Sequence, residues 1–138
     1  MSRWQAAVEF AVPFHDLDPL GVVWHGNYAK YFEVARGALL RSIDYDYPQM
    51  QESGYAWPVV DLHVRYPRPL RYQQEVRVTA RIVEHENRLR IRYEIRDRSD
   101  GTRLTYGETV QVAVKLPEFS LCLVSPPVLL EKLARSAS

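Results

Sequence analysis

Apolar residues recur along this chain with two different periods, and the change of period divides it. Between positions 27 and 43, Tyr28, Tyr31, Phe32, Ala35, Leu39 and Ile43 follow one another at three- and four-residue steps. That spacing lays them on one stripe of a helix, with Lys30, Glu33, Arg36 and Arg41 largely off it. No proline interrupts the run, and Gly37 is its weak helix former. The next segment, broken by Pro48 and Gly54, reads as loop and short helix.

Beyond it the period becomes two. Val60, Leu62, Val64 and Tyr66 alternate with Asp61, His63 and Arg65. Val76, Val78, Ala80 and Ile82 alternate with Arg77, Thr79 and Arg81, and Leu89, Ile91, Tyr93 and Ile95 with Arg90, Arg92, Glu94 and Arg96. From 104 to 116 the apolar phase is assigned to Tyr106, Val110, Val112 and Val114, interrupted by Glu108. Such alternation predicts strands with one buried face. His85-Glu86-Asn87 and Ser99-Asp100-Gly101 supply hairpin turns, and residues 4–12 give a weaker first strand through Trp4, Ala6, Val8, Phe10 and Val12. The stretch PPVLLEKLARSAS predicts a short helix from about 126 that frays into a polar end. One striped helix and a largely antiparallel sheet with one apolar face combine most simply as an α+β domain, the sheet curling around the helix.

Composition narrows the picture little further. At 138 residues the chain has room for one domain, 1–138, and its 46% hydrophobic content suits a packed core. A formal net charge of +1 gives no reason to expect nucleic acid or an anionic membrane as partner. No basic segment followed by an apolar run opens the chain, and no apolar stretch approaches ~20 residues, so a cytoplasmic protein is expected. Cys122 is the single cysteine, and His63 and His85 have no spacing that suggests a metal.

The densest chemistry lies just before the helix, in HDLDPLGVVWHGNY at positions 15–28. Together with the strands behind it, FHDLDPLGVVWHGNYAKYFEVAR resembles the hotdog fold, a five-stranded sheet curled around one long central helix. Within that fold it is similar to the 4-hydroxybenzoyl-CoA thioesterase group and its acyl-CoA thioesterase relatives. The likeness runs from Phe10 to about Leu116 and is most specific from Asp16 to Tyr28. It implies a thioester hydrolase in which the second aspartate of Asp-x-Asp, here Asp18, is the catalytic carboxylate. It also implies an oxyanion donor in the amide of His25 with Gly26 beside it, no cofactor or metal, and an acyl-CoA or acyl-carrier-protein substrate. Related proteins form dimers with sites at the subunit interface, often paired into homotetramers.

The chemistry agrees with that mapping. A thioester has a good leaving group, so one carboxylate suffices, either as general base for water or as nucleophile. Free N–H groups at a helix start can hold the carbonyl oxygen as it gains charge. Each residue also has a plainer reading. Asp18 before Pro19 can initiate a turn, Asp16 can be a structural carboxylate, and the His25 imidazole can orient Asp18 or contact the acyl chain. Asn27 reads as the helix N-cap, Tyr28 as core, and Trp24 and Trp57 as either pocket or core. Glu33 is expected to pair with a neighbouring arginine. Arg68 and Arg71 could take the phosphates of coenzyme A or simply solvate a sheet edge, and Arg88, Arg90 and Arg92 line one strand face. Two alternatives stay open: a hotdog dehydratase or hydratase, for which His25 and Glu33 would be the pair, and a non-catalytic acyl-thioester-binding module.

Overall fold

The computed structural model describes residues 4–136. Its elements, in chain order, are β1 (Gln5–Ala11), a 3-10 turn (Phe14–Asp16), α1 (Asn27–Ser42), α2 (Tyr47–Ser53), β2 (Tyr55–Ala56), β3 (Val59–Arg65), β4 (Glu75–Glu84), β5 (Leu89–Asp97), β6 (Arg103–Gln111), β7 (Val114–Lys115), β8 (Ser120–Leu121) and α3 (Pro127–Ser136). The five long strands form one sheet in the order β1-β4-β5-β6-β3, every neighbouring pair antiparallel. β2, β7 and β8 make a small second sheet.

The predicted stripe is what α1 buries. Tyr28, Tyr31, Phe32, Ala35 and Leu39 all lie on the sheet, and Ile43 is buried just past the helix end. β4 and β5 answer with Val76, Val78, Ala80, Leu89, Ile91 and Ile95, none measurably exposed. Each large aliphatic side chain so buried stabilises the fold by about 1.5–3 kcal/mol. Phe32 stacks on Tyr93 with ring centroids 4.4 Å apart. Beside that stack Gly107 permits a close approach: a Cβ there would meet the His63 carbonyl oxygen at 2.2 Å and the Phe32 ring at 2.8 Å.

Of the breakers, Pro48 lies in the first turn of α2 and Gly54 closes it. Asp46 caps its start in a reciprocal capping box with Gln49, and Gly54 ends it at φ 86°. The C-terminal helix is present as α3, seated through Leu129 and Leu133, and the Trp4 indole donates to the Leu133 carbonyl at 3.1 Å. The frayed end expected after it falls at residues 137–138, outside the described residues.

β6 contradicts the expected phase. Gly107 pairs with Tyr93, so Thr105, Gly107, Thr109 and Gln111 face the helix, while Tyr106 and Glu108 face outward. Polar and apolar residues are mixed on both phases of this strand, and a sheet neighbour rather than hydropathy decides which face turns inward. β3 also departs from its predicted alternation: it lies at the sheet edge, a bulge at Val60 breaks its register, and Val60 (58%) and Leu62 (47%) are exposed rather than on a buried face. Among the described residues no helix is long and apolar enough to cross a membrane.

Candidate active site

The segment between β1 and α1 is a small folded unit held at both ends. Its start is fixed by Asp16, which is 3% exposed and accepts hydrogen bonds from Lys30 Nζ and from the Tyr31 hydroxyl, each at 2.6 Å. Burial works against the Asp16 carboxylate, but these two donors outweigh it and hold its pKa below the ordinary value. Burial and the same carboxylate push the Tyr31 hydroxyl strongly upward. The Asp16 carbonyl accepts from the Trp24 amide and from Asn27 Nδ2, both at 2.9 Å. Asp16 is therefore the clamp between the loop and the first turn of α1.

That clamp corrects one expectation. Asn27 is the first helical residue, not the N-cap; Gly26 occupies the cap with helical backbone angles and no side-chain bond. Asn27 has spent its amide on Asp16, so the helix start is left without a side-chain acceptor. Among the described residues the amides of His25 and Gly26 have no backbone or side-chain acceptor. The Trp24 ring folds over this point, and a Cβ at Gly26 would come within 2.2 Å of it.

Asp18 sits at the tip of a hairpin closed by the bridge between Leu17 and Val23. Its amide donates to the Val22 carbonyl at 2.8 Å, and its carbonyl accepts from Gly21 at 3.0 Å. Gly21 supplies the left-handed backbone this turn needs, at φ 81°. The carboxylate joins in: Oδ1 accepts from the Leu20 amide at 2.9 Å and, more weakly, from the Val22 amide at 3.4 Å. Oδ2 has no donor among the described residues. The turn thus occupies one oxygen of this half-buried carboxylate and leaves the other without a donor among the described residues.

The other candidates separate by position. Arg71 is bridged to Val22, and the Leu70 carbonyl accepts from Val23 at 2.8 Å, so the segment carrying Arg71 lies along the hairpin. Arg68 is anchored further off, its amide bonded to the Leu104 carbonyl at 3.3 Å. Both arginines are exposed. Tyr28 is buried, stacked on Tyr66 with centroids 5.1 Å apart, and burial raises its hydroxyl. Trp24 is half exposed beside the exposed His25, and no hydrogen bond joins the His25 imidazole to Asp18 among the described residues. Trp57 is buried, its indole donating to the Tyr45 hydroxyl. Glu33 is 71% exposed with Arg36 at 3.9 Å, as expected of a surface pair. It lies ~9 Å beyond the first residue of α1, and among the described residues no ion pair joins it to His25. Among the described residues no group of three His, Cys, Asp or Glu could hold a metal.

Sequence reasoning missed Lys30 and Tyr31 as partners of Asp16, although Tyr31 stands on the helical stripe. It also missed Gln111, which lies 4% exposed on the inward phase of β6.

Residues 12–133 match the profile of the thioesterase-like superfamily. This chain belongs to that superfamily. Among curated superfamily relatives, the Synechocystis sp. protein sll0410, provisionally named an esterase, is 33% identical over 122 residues, covering 88% of this chain and 74% of that one. YneP of Bacillus subtilis (strain 168), provisionally named an acyl-CoA thioesterase, is 38% identical over 64 residues, less than half of either chain (46% of each). Among solved structures, the DHNA-CoA thioesterase of Staphylococcus aureus has a TM-score of 0.83 at 28% identity, covering 95% of this chain and 89% of that one. A complex of 4-hydroxybenzoyl-CoA thioesterase, at 16% identity and TM-score 0.80, shares the fold. The superfamily member described here therefore has the hotdog fold.

Proposed function

We propose that this thioesterase-superfamily chain hydrolyses the thioester of an acyl-CoA, or of an acyl group on a carrier protein, to free acid and thiol. The observation that carries the reading is the pairing of two features across one loop. Asp18 presents a carboxylate whose Oδ2 is uncommitted, and the amides of His25 and Gly26 are uncommitted at the start of α1.

The chemistry follows from those groups. The thioester carbonyl oxygen gains negative charge as its carbon is attacked, and amides at a helix start, aided by the helix dipole, stabilise it there. Asp18 either takes the proton from an attacking water or attacks the carbonyl itself to give an anhydride that water then opens. In both routes the C–S bond breaks, and the thiolate leaves without needing a strong acid. Arg71, along the hairpin, and Arg68 beyond it are suited to the phosphates of coenzyme A. A cytoplasmic location and a second copy of the chain fit the same reading. The free edge of β3, with Val60 and Leu62 exposed, is the surface through which two copies would pair into a dimer. A homotetramer is the pairing of two such dimers.

The test is thiol release from a panel of acyl-CoA and acyl-carrier thioesters. Asp18→Asn keeps an acceptor for the Leu20 amide, so its melting temperature should match the wild type while kcat/KM falls by ~10²–10⁴-fold. Full activity in the variant would sink the assigned role, and binding without turnover across the panel would favour a non-catalytic module.

A further inference from the structure

The free amides at the start of α1 owe their freedom to how the preceding turn is held. Trp24 and Asn27 are the ends of a four-residue turn, closed by the Asn27 amide donating to the Trp24 carbonyl at 2.9 Å. His25 and Gly26 are its central residues, and the bond that closes the turn uses neither of their amides.

Both ends of this turn are tied to one atom. The Asp16 carbonyl oxygen accepts from the Trp24 amide and from Asn27 Nδ2, each at 2.9 Å. A carbonyl oxygen has two lone pairs, so it can serve both donors. One hydrogen bond alone is a hinge about which the turn can swing. Two bonds, one on either side of His25 and Gly26, fix its direction.

Asp16 is a firm anchor for them. Its buried carboxylate is bonded by Lys30 Nζ and the Tyr31 hydroxyl, so residues 27, 30 and 31, neighbours on one face of α1, all grip it. Asp18 follows two residues later, its amide held by the Val22 carbonyl and its carboxylate by the Leu20 amide. The Asp18 carboxylate and the two free amides are therefore both placed from Asp16, the first along the chain and the second through the Trp24 and Asn27 bonds.

Asn is a preferred helix cap, and as a cap its side-chain oxygen would occupy an amide of the first turn. Turned to the Asp16 carbonyl, Asn27 uses its nitrogen instead, and the cap position falls to Gly26, which has no side chain to spend. The Trp24 ring lies over Gly26, where a side chain would strike it.

We infer that Asn27 is a positioning residue for the reaction: its Nδ2, held on the Asp16 carbonyl, aims the His25 and Gly26 amides at the thioester carbonyl and touches no substrate itself. The inference rests on the thioesterase reading above. The carbonyl oxygen gains its charge only as its carbon is attacked, so a misaimed turn should lower kcat and leave KM nearly unchanged.

Asn27→Ala removes the donor and places the best helix former at the first helical position. Against a thioester that the wild type hydrolyses, kcat per folded enzyme should fall about 10–100-fold, with KM within about twofold. Asn27→Asp keeps the shape of the side chain and replaces the donor by an acceptor, and a carboxylate suits the first turn of a helix. Its melting temperature should equal or exceed that of Asn27→Ala, yet its kcat should be at least as low; it carries the test if Asn27→Ala does not fold. Wild-type kcat in either variant, or activity that tracks melting temperature across the two, overturns the inference. So does a rise in KM at unchanged kcat, which would put Asn27 in contact with substrate. A wild type that releases no thiol from any thioester overturns the thioesterase reading and this inference with it, whereas an active wild type beside variants of unchanged kcat overturns the inference alone.

Discussion

On the β4–β5 flank of the sheet, every inward position is aliphatic or aromatic, and Val78, Ala80, Ile91 and Ile95 are completely buried. On the β6–β3 flank, the inward positions include Thr105, Thr109 and Gln111, and the edge strand shows Val60 and Leu62 to solvent. One helix packs against both. The first flank has the composition of a region that holds a fold together, and its one inward polar group, the Tyr93 hydroxyl, is met by Thr109 at 2.7 Å. The second gives up burial for hydrogen-bonding groups and an unpaired sheet edge. A closed apolar flank and an open, more polar one stand side by side under a single helix.

Substitutions can break that division at its strongest point first. Ile91→Ala should lower unfolding free energy by about 2–5 kcal/mol in denaturant titrations. The molecules that remain folded should keep the thiol-release rate of the wild type. A loss of rate in the folded fraction would mean that the apolar flank also shapes the site.

Tyr31→Phe acts where the helix meets the loop. Removing one of two donors to the buried Asp16 should cost about 1–3 kcal/mol at pH 7. Asp16 has a depressed folded pKa, so its stabilisation is present above the unfolded carboxylate value and is lost as pH falls through the folded one. The gap between wild type and Tyr31→Phe should therefore narrow below about pH 4, and a gap independent of pH would exclude the charged bond as its source.

Leu62→Lys tests the open edge. Because Leu62 is exposed, the stability of the single chain should change by no more than about 0.5 kcal/mol. Sedimentation should nevertheless shift from dimer to monomer, with activity falling alongside. A variant that stays dimeric would place the contact elsewhere.

The smallest effect is expected at Asp97, in the β5–β6 turn, whose carboxyl is held down to about 2 by hydrogen bonds from Gln74 and Ser99. Its contribution is present above about pH 4 and disappears as pH falls toward 2. Asp97→Asn should remove only that part of the acid sensitivity, read as a smaller loss of melting temperature between pH 4 and pH 2.

The apolar flank was legible in the sequence because its pattern is unmixed: Val76 to Ile82 and Leu89 to Ile95 alternate cleanly, and the α1 stripe has one period. β6 was not legible. Tyr106, Val110 and Val112 outweigh Thr105 and Thr109 in hydropathy, yet the pairing of Gly107 with Tyr93 turns the threonines inward. Asp18 stood out through its Asp-Pro turn and its place in Asp-x-Asp. Its neighbour Asp16 was read as structural without its partners, since Lys30 and Tyr31 lie fourteen and fifteen residues away and meet it only once the loop folds back. The N-cap was misplaced for a related reason: Asn27 is a good cap by type, but a backbone carbonyl at Asp16 claims its side chain first. Gln111 carries no local sign at all, because the burial of its Oε1 without a partner among the described residues exists only in three dimensions.

The turn at Asp18 has a consequence for how such a loop can change over generations. The carboxylate is aimed by the backbone amides of Leu20 and Val22, which every residue except proline possesses. Leu20 projects into solvent at 84% exposure. Side chains there can drift freely while the carboxylate keeps its aim, so the loop can acquire a new rim without disturbing Asp18. Only a proline at 20 or 22, or a side chain at Gly21 that resists its backbone angle, reaches through to Asp18.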